Sequence, residues 1–116
     1  MIYEIRNYHF NPKLFEEYKK WIQKDALSYL KANFDVVGFW IGTDIDAENF
    51  GPSIDKLGPS NVTWIIRWTS MQQRNATIPR VLECPEWERI FSTVPGGEKS
   101  YFRVELKFME NIATPQ

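Results

Sequence analysis

The order of two kinds of hydrophobic pattern along the chain constrains the fold more than any other feature of the sequence. Four short segments, residues 2–9, 34–43, 62–69 and 101–109, are rich in β-branched and aromatic residues and are typical of strands. A segment with apolar residues at helical steps separates the first strand from the second, and a capped helical segment separates the third from the fourth. The predicted order is therefore strand, helix, strand, strand, helix, strand.

Local signals place the ends of both helices. Asn11 precedes a proline and is suited to cap a first helix over residues 13–33, where the apolar residues form one stripe. Ser70 opens a capping-box pattern at the start of the second helix. We expect that helix to be interrupted at Pro79 or near Pro85, because proline cannot donate the helical hydrogen bond.

This order of elements predicts an α+β fold of the ferredoxin-like βαββαβ type, an antiparallel four-stranded sheet with both helices on one face. The length of 116 residues indicates a single domain, residues 1–116. Residues 44–61 contain two Gly-Pro steps and are predicted to be an irregular loop insertion. Residues 110–116 are predicted to form a polar tail.

Composition excludes several classes of function. The formal net charge is -1 and the charges are mixed along the chain, so no nucleic-acid partner is expected. One cysteine and one histidine exclude a disulfide framework and a multi-histidine metal centre within one chain, and we expect no metal and no cofactor. No apolar run has the length of a membrane span and the first residues do not form a signal peptide, so a cytoplasmic location is expected.

Alternation divides each strand between two sheet faces. On the third strand Trp64 and Trp68 should face the helices, whereas Arg67 should face away from them. We expect the helices to cover also Tyr3 and Ile5, then Val37, Phe39 and Ile41, and finally Phe102, Val104, Leu106 and Phe108. The opposite face is expected to collect Glu4, Arg6, Tyr8, Trp40, Ile65, Arg67, Arg103 and Glu105.

The mixture of balanced charges and large apolar residues on this second face favours a self-complementary interface between two copies of the chain. The predicted homodimer interface consists of Glu4, Arg6, Trp40, Arg67, Arg103 and Glu105. Glu4 and Glu105 are the expected carboxylate partners of Arg67. An open sheet face in contact with water is the alternative, and the same charged residues are also compatible with an anion-binding pocket.

Candidate chemical groups are few. His9 is the only histidine and is a candidate general acid or base, with Tyr8 beside it, although single histidines more often have a structural role. Cys84 precedes a helix start and is a weaker candidate for a reactive thiol. A set of aromatic residues is predicted to wall a cavity for a flat ligand, or else to be plain core: Tyr18, Trp64, Trp68, Trp87 and Phe91.

Three motifs resemble those of the NIPSNAP family: YEIRNY near the start, WIIRW before the capped helix, and CPEWERIF. Tyr3, Glu4, Arg6 and Tyr8 match the first motif, and Pro85, Glu86 and Trp87 match the last. Arg67 and Trp68 match the middle motif in reversed order, and Cys84 replaces the family's usual aspartate. The resemblance covers most of the chain except residues 44–61.

The resemblance implies a dimeric α/β barrel, in which two ferredoxin-like sheets close face to face, but it implies no particular reaction. The leading hypothesis is a homodimer that binds a small apolar or aromatic molecule without a cofactor. The alternatives are a cofactor-free monooxygenase or isomerase of the same barrel type, with His9 or a tyrosine moving the proton, and a structural or interaction module without enzymatic activity.

Overall fold

The computed structural model describes residues 1–52 and 55–113. Residues 53–54 of the predicted loop and residues 114–116 of the predicted tail lie outside the described residues. The strands are β1 (Ile2–Phe10), β2 (Val36–Ile41), β3 (Val62–Trp68) and β4 (Tyr101–Met109). The helices are α1 (Phe15–Trp21), α2 (Leu27–Asn33), α3 (Met71–Leu82) and α4 (Pro85–Phe91). The predicted α+β order is confirmed.

The four strands form one antiparallel sheet in the order β2-β3-β1-β4. The strands β1 and β3 lie in the centre, and β2 and β4 form the edges. This is the predicted ferredoxin-like arrangement, in which each helix connection crosses one face of the sheet. Within residues 1–52 and 55–113, no helix is both long and apolar enough to cross a bilayer.

The first helical segment consists of two α-helices, α1 and α2, joined by an irregular helical turn. Asn11 caps its first turn by accepting a hydrogen bond from the backbone of Lys13, as predicted. A π-helical turn, Ile22–Ala26, then joins α1 to α2. The sequence did not indicate this turn. It widens the helix by one residue in the stretch where Trp21 and Ile22 are both buried.

The second helical segment has the predicted cap and one of the two predicted breaks. The Ser70 hydroxyl accepts a hydrogen bond from the backbone N–H of Gln73 at 3.0 Å. The side-chain oxygen of Gln73 in turn accepts from the backbone N–H of Thr69 at 2.7 Å. Pro79 lies inside α3 and does not end it. The break comes at residues 83–84, and Pro85 begins α4.

The predicted orientation of β1 is wrong. Directly paired residues of neighbouring strands point to the same face. Glu4 pairs with Ile66, which is fully buried under the helices, and Arg6 pairs with Trp64. Glu4, Arg6 and Tyr8 therefore face the helices, whereas Tyr3 and Ile5 face away from them. Glu4 is completely buried, because α3 and β3 supply hydrogen-bond donors to its carboxylate.

Two irregularities in the sheet correct the predicted faces of other strands. A register shift between Val36 and Gly38 turns Val36 toward the core and leaves Val37 48% exposed, the reverse of the prediction. A second shift at the end of β1 places the ring of Phe102 against His9, away from the helices, with ring centroids 6.4 Å apart. Strict alternation fails at such bulges because one extra residue reverses the facing of its neighbours.

The loop of residues 44–61 has no helix or strand in its described part. Its last residue fastens it to the sheet. The Asn61 side chain accepts from the backbone N–H of Phe10 at 2.8 Å and donates to the backbone carbonyl of Phe10 at 2.9 Å. The backbone N–H of Asn61 also donates to the backbone carbonyl of Tyr8 at 3.0 Å. The loop therefore continues the pairing of β3 with β1.

Candidate functional site

A cavity of about 320 Å³ lies between the sheet and the helices. The four helices and the π turn contribute one wall, and all four strands contribute the other. Fourteen residues line it: Arg6, Tyr8, Tyr18, Trp21, Ile22, Leu30, Phe39, Trp64, Leu82, Trp87, Phe91, Glu98, Tyr101 and Val104. Most of these side chains are apolar or aromatic, and the polar groups are those of Arg6, Glu98 and three tyrosines.

Aromatic rings in mutual contact form much of the wall. Trp87 stacks on Phe91 with centroids 5.8 Å apart, and Phe91 stacks on Tyr101 at 5.9 Å. Trp21 is fixed in orientation because its indole N–H donates to Thr93 Oγ1 at 3.0 Å. Rings that support one another in this way form a rigid surface that loses little conformational entropy when it contacts a ligand.

Four of the five residues predicted to contact a ligand line this cavity: Tyr18, Trp64, Trp87 and Phe91. The fifth, Trp68, does not. It is buried farther along β3, where its indole N–H donates to Glu4 Oε1 at 3.0 Å. The helical and strand patterns thus identified most of the aromatic wall, whereas Trp68 has a structural partner.

The polar end of the cavity is built on β1. The Tyr8 hydroxyl accepts two hydrogen bonds, from Arg6 Nε at 2.8 Å and from Trp64 Nε1 at 3.0 Å. The Arg6 guanidinium also lies over the Trp64 ring, 5.3 Å from its centroid, in a cation–π contact. Arg6, Tyr8 and Trp64 are held together because they are neighbours on the same face of β1 and β3.

Glu4 holds Arg6 in this position through a hydrogen bond to its carboxylate. Its carboxylate accepts from Trp68 Nε1 and Arg74 Nε on one oxygen and from Arg6 Nη1 and Arg74 Nη2 on the other. Burial by itself raises the pKa of Glu4, but the hydrogen bonds and charges of Arg74 and Arg6 outweigh that effect and hold the pKa below its usual value. Glu4 is therefore an ionised group that fixes Arg6 in the cavity wall.

A second polar contact joins two tyrosines in the cavity wall. The hydroxyls of Tyr18 and Tyr101 are 3.1 Å apart and share a hydrogen bond. Burial raises the pKa of both phenols, so both stay protonated at neutral pH. The Tyr101 ring packs edge-on against Tyr8 with centroids 5.4 Å apart, which links the two polar groups of the wall.

The structure separates the two predicted catalytic residues. Tyr8 lines the cavity, whereas His9, the next residue of β1, points to the opposite face. His9 is buried there and its Nδ1 lies 3.1 Å from the carbonyl oxygen of Pro59. Nearby, Arg103 pairs with Asp55 at 2.6 Å and donates to the carbonyl of Gly58 at 2.8 Å. His9 and Arg103 thus hold the loop against the sheet.

The residues predicted for a dimer interface also divide between the two faces. Glu4 and Arg6 lie under the helices, so their predicted place on the open face is wrong. Arg67 is on the open face and pairs with Asp35 of its own chain at 2.8 Å. Trp40, which is 51% exposed, lies on the open face opposite Thr63. Glu105 lies there too, within 3.4 Å of the Asn7 amide.

Cys84 lies outside the cavity. Its sulfur is 3.0 Å from the Tyr29 hydroxyl. The same tyrosine hydroxyl donates to the carbonyl of Val81 at 2.8 Å. These contacts join α2 to the start of α4 and give Cys84 a structural role.

Sequence reasoning missed several residues of the cavity. The alternation pattern predicts Arg6 on the other face, and no pattern in the sequence indicates Phe39 or Tyr101 as cavity residues. The even spacing of Glu4, Arg6 and Tyr8 requires all three to share one face, but it does not show whether that face meets the helices. Only the pairing of Glu4 with Ile66 shows which face this is.

Comparisons with solved structures place this fold. An uncharacterized NIPSNAP domain protein from Burkholderia xenovorans aligns over 100% of both chains with 18% identity and a TM-score of 0.74. A NIPSNAP family protein with unknown function from Agrobacterium tumefaciens aligns over 94% of this chain and 86% of its own, with 21% identity and a TM-score of 0.72. A second NIPSNAP family protein from that organism has 17% identity over 98% and 89% of the two chains and a TM-score of 0.74.

Sequence comparison adds no further relative. No protein-family profile matches the chain, and no curated protein is significantly similar to it in sequence. The structural similarity nevertheless extends over most of this chain and of each solved structure, and the alignment with the Burkholderia xenovorans protein includes all four strands and all four helices. The resemblance expected from the three sequence motifs is thus confirmed at the level of the fold: the chain has the α+β fold of the NIPSNAP family structures.

Proposed function

We propose that the chain is a NIPSNAP-family protein that binds a small, flat, mainly apolar or aromatic molecule between its sheet and its helices. The observation that carries this proposal is the cavity of about 320 Å³ walled by Trp21, Trp64, Trp87 and Phe91. Its volume is in the range of known ligand pockets, roughly 300–1,000 Å³, and such pockets are mainly apolar with a few fixed polar groups. A packed core of this size would not leave such a space.

The π turn supports the same proposal. Turns of this kind are rare and are frequently found at functional sites. Here the turn contributes Ile22 to the cavity wall and follows directly on Trp21.

A cofactor-free monooxygenase or isomerase is a second candidate, and one observation favours it. The Tyr8 hydroxyl lies in the cavity wall, and hydrogen bonds from the Arg6 and Trp64 side chains hold its oxygen in a fixed position there, as a group that transfers a proton requires. Tyr8 is therefore the proposed acid or base of such a reaction, in place of His9. Turnover of a bound ligand that Tyr8→Phe abolishes while the variant still binds a neutral ligand would support it.

The proposal includes a homodimer formed by the open sheet face. This face carries half-buried Ile5 and Ile65 and the exposed side chains of Trp40 and Met109, which are 51% and 47% exposed. Contiguous apolar residues on an open face favour contact with a second copy. The arginines of this face have carboxylate partners within the chain, so apolar contact is the expected basis of association. A cytoplasmic location stays a prediction.

A neutral fluorescent probe tests the ligand-binding proposal. N-phenyl-1-naphthylamine should bind saturably, with one site per chain, and gain fluorescence as it leaves water. Val104→Trp should abolish this binding, because Val104 lines the cavity from an edge strand and is 50% exposed, so a larger side chain can fill the space without a clash in the core.

The matched control is Val37→Trp on the other edge strand, where the side chain is 48% exposed and outside the cavity lining. It should leave the affinity for the probe unchanged. Absence of saturable binding in the wild-type protein, or equal affinity in both variants, would refute the cavity as the binding site.

A further inference from the structure

We propose that the cavity selects a planar apolar molecule with one carboxylate, and that Arg6 and Tyr8 bind this carboxylate. The inference rests on the proposed function, because it names the chemical class of ligand for the same cavity. Three observations lead to it: the balance of charge around Glu4, the donors that Arg6 and Tyr8 leave unused, and the position of both residues in the wall.

The first observation is an excess of positive charge. Glu4 is the partner of two guanidinium groups, Arg6 and Arg74. Among the described residues, no second carboxylate lies within ion-pair distance of either arginine. One positive charge in this largely buried cluster is therefore not balanced by the chain. A buried charge is costly unless an opposite charge accompanies it, so a ligand anion would complete the cluster.

The second observation is that Arg6 has a donor to spare. Its Nε donates to Tyr8 and its Nη1 to Glu4, but Nη2 has no acceptor in the described part of the chain. The Arg6 side chain is only 12% exposed. No fully occluded side-chain nitrogen or oxygen of the described residues lacks a partner. The unused Nη2 must therefore keep some accessible surface, and the cavity that Arg6 lines supplies it.

The third observation concerns the Tyr8 hydroxyl. It accepts hydrogen bonds from Arg6 and Trp64, which occupy its acceptor sites. Its own hydrogen must point elsewhere, and no acceptor in the described part of the chain receives it. Since Arg6 Nε and the Tyr8 oxygen are 2.8 Å apart, the free guanidinium N–H and the phenol O–H are neighbours that one carboxylate can bridge.

The rest of the cavity specifies the remainder of the ligand. The aromatic wall of Trp21, Trp87 and Phe91 suits a flat ring system. Glu98 lines the cavity and its side chain is exposed, so it lies where the cavity meets solvent. Its carboxylate places a negative charge there. A second anionic group on the ligand would be repelled there. The expected ligand is therefore a monoanion with its carboxylate directed toward β1.

A matched pair of probes tests this. 2-Naphthoate and 2-naphthamide have the same shape and differ in charge, and both should quench the cavity tryptophans on binding. We expect the wild-type protein to bind the acid about tenfold or more tightly than the amide, as charge-assisted hydrogen bonds in a buried site allow. Val104→Trp should abolish binding of both.

Two variants assign the preference to residues. Arg6→Gln should reduce the ratio of the two affinities to near one, and Glu4 keeps Arg74 and Trp68 as partners in this variant. Tyr8→Phe, which keeps the ring, should reduce the ratio several-fold, and it serves as the test if Arg6→Gln does not fold. Arg67→Gln removes the same charge from the open face and should leave the ratio unchanged.

The outcomes separate the two proposals. Equal affinity for acid and amide in the wild-type protein, with both excluded by Val104→Trp, would overturn the carboxylate inference and leave ligand binding in the cavity intact. Binding of neither probe and of no neutral aromatic compound would overturn both. A preference for the acid that Arg6→Gln and Tyr8→Phe leave unchanged would also overturn the inference, because it would place the anion elsewhere.

Discussion

Glu4 and Arg74 are joined by two hydrogen bonds, from Arg74 Nε to Oε1 at 3.0 Å and from Arg74 Nη2 to Oε2 at 3.3 Å. The pair connects the central strand β1 to α3 through a fully buried carboxylate. Because the same carboxylate also binds Arg6, the contact that docks the helix fixes the polar end of the cavity. Glu4 therefore links the packing of α3 on the sheet to the position of Arg6 in the cavity wall.

Glu4→Gln should destabilise the protein by about 3 kcal/mol or more, since loss of one partner from a buried ion pair leaves uncompensated charge. The free energy of unfolding from urea titration at pH 7 measures the loss. Glu105→Gln, a half-exposed carboxylate on the open face, is the control and should change stability by less than about 1 kcal/mol. Equal effects of the two substitutions would contradict the role of Glu4.

The depressed pKa of Glu4 predicts a pH dependence of stability. The pKa of a glutamate in the unfolded chain is about 4.3, and that of Glu4 in the folded chain is lower. The stabilisation from Glu4 is therefore fully present above the unfolded value and is lost as the pH falls through the folded value. Urea midpoints measured from pH 7 downward should fall more steeply below about pH 4.3 in the wild-type protein than in Glu4→Gln. Parallel curves would show that Glu4 has no such shift.

Arg103→Gln should loosen the loop of residues 44–61 without unfolding the sheet. Arg103 holds this loop through Asp55, Gly58 and Ser60. We expect faster amide hydrogen exchange in the described part of the loop and unchanged exchange in β1 and β3, whose backbone bonds do not depend on Arg103. Lys107→Gln, on the same strand and face, is the control. Unchanged exchange in the loop would mean that the Asn61 contacts hold it alone.

Ile65→Asp should dissociate the proposed dimer. Ile65 lies in the middle of the open face, paired with Ile5 and Gly38, and a carboxylate there would be buried without a partner in a face-to-face contact. Sedimentation velocity at micromolar concentration should give a dimer for the wild-type protein and a monomer for the variant. Val104→Asp adds the same charge on the helix side of the sheet and should remain dimeric. A monomeric wild-type protein would refute the interface.

Much of the candidate site could be predicted from the sequence. The helical spacing of Tyr18 and the cap-defined start of α4 identified aromatic residues that do lie together in the wall, because helix periodicity alone fixes which side chains share a face. The separation of Tyr8 from His9 also follows from alternation. The sequence could not show which of the two faces the cavity, since this depends on the pairing of β1 with β3.

The sequence by itself determined the order of the strands and helices, the caps at Asn11 and Ser70, and the two faces of β3, because each depends on neighbours within a few residues. Only the tertiary structure decided that Glu4 and Arg6 are internal. A strand with polar residues at even positions can present either face to the helices, and the donors that make burial of Glu4 favourable come from Trp68 and Arg74, more than 60 residues away. The cavity also depends on the tertiary structure, because its walls consist of strands and helices that are distant from one another in the sequence.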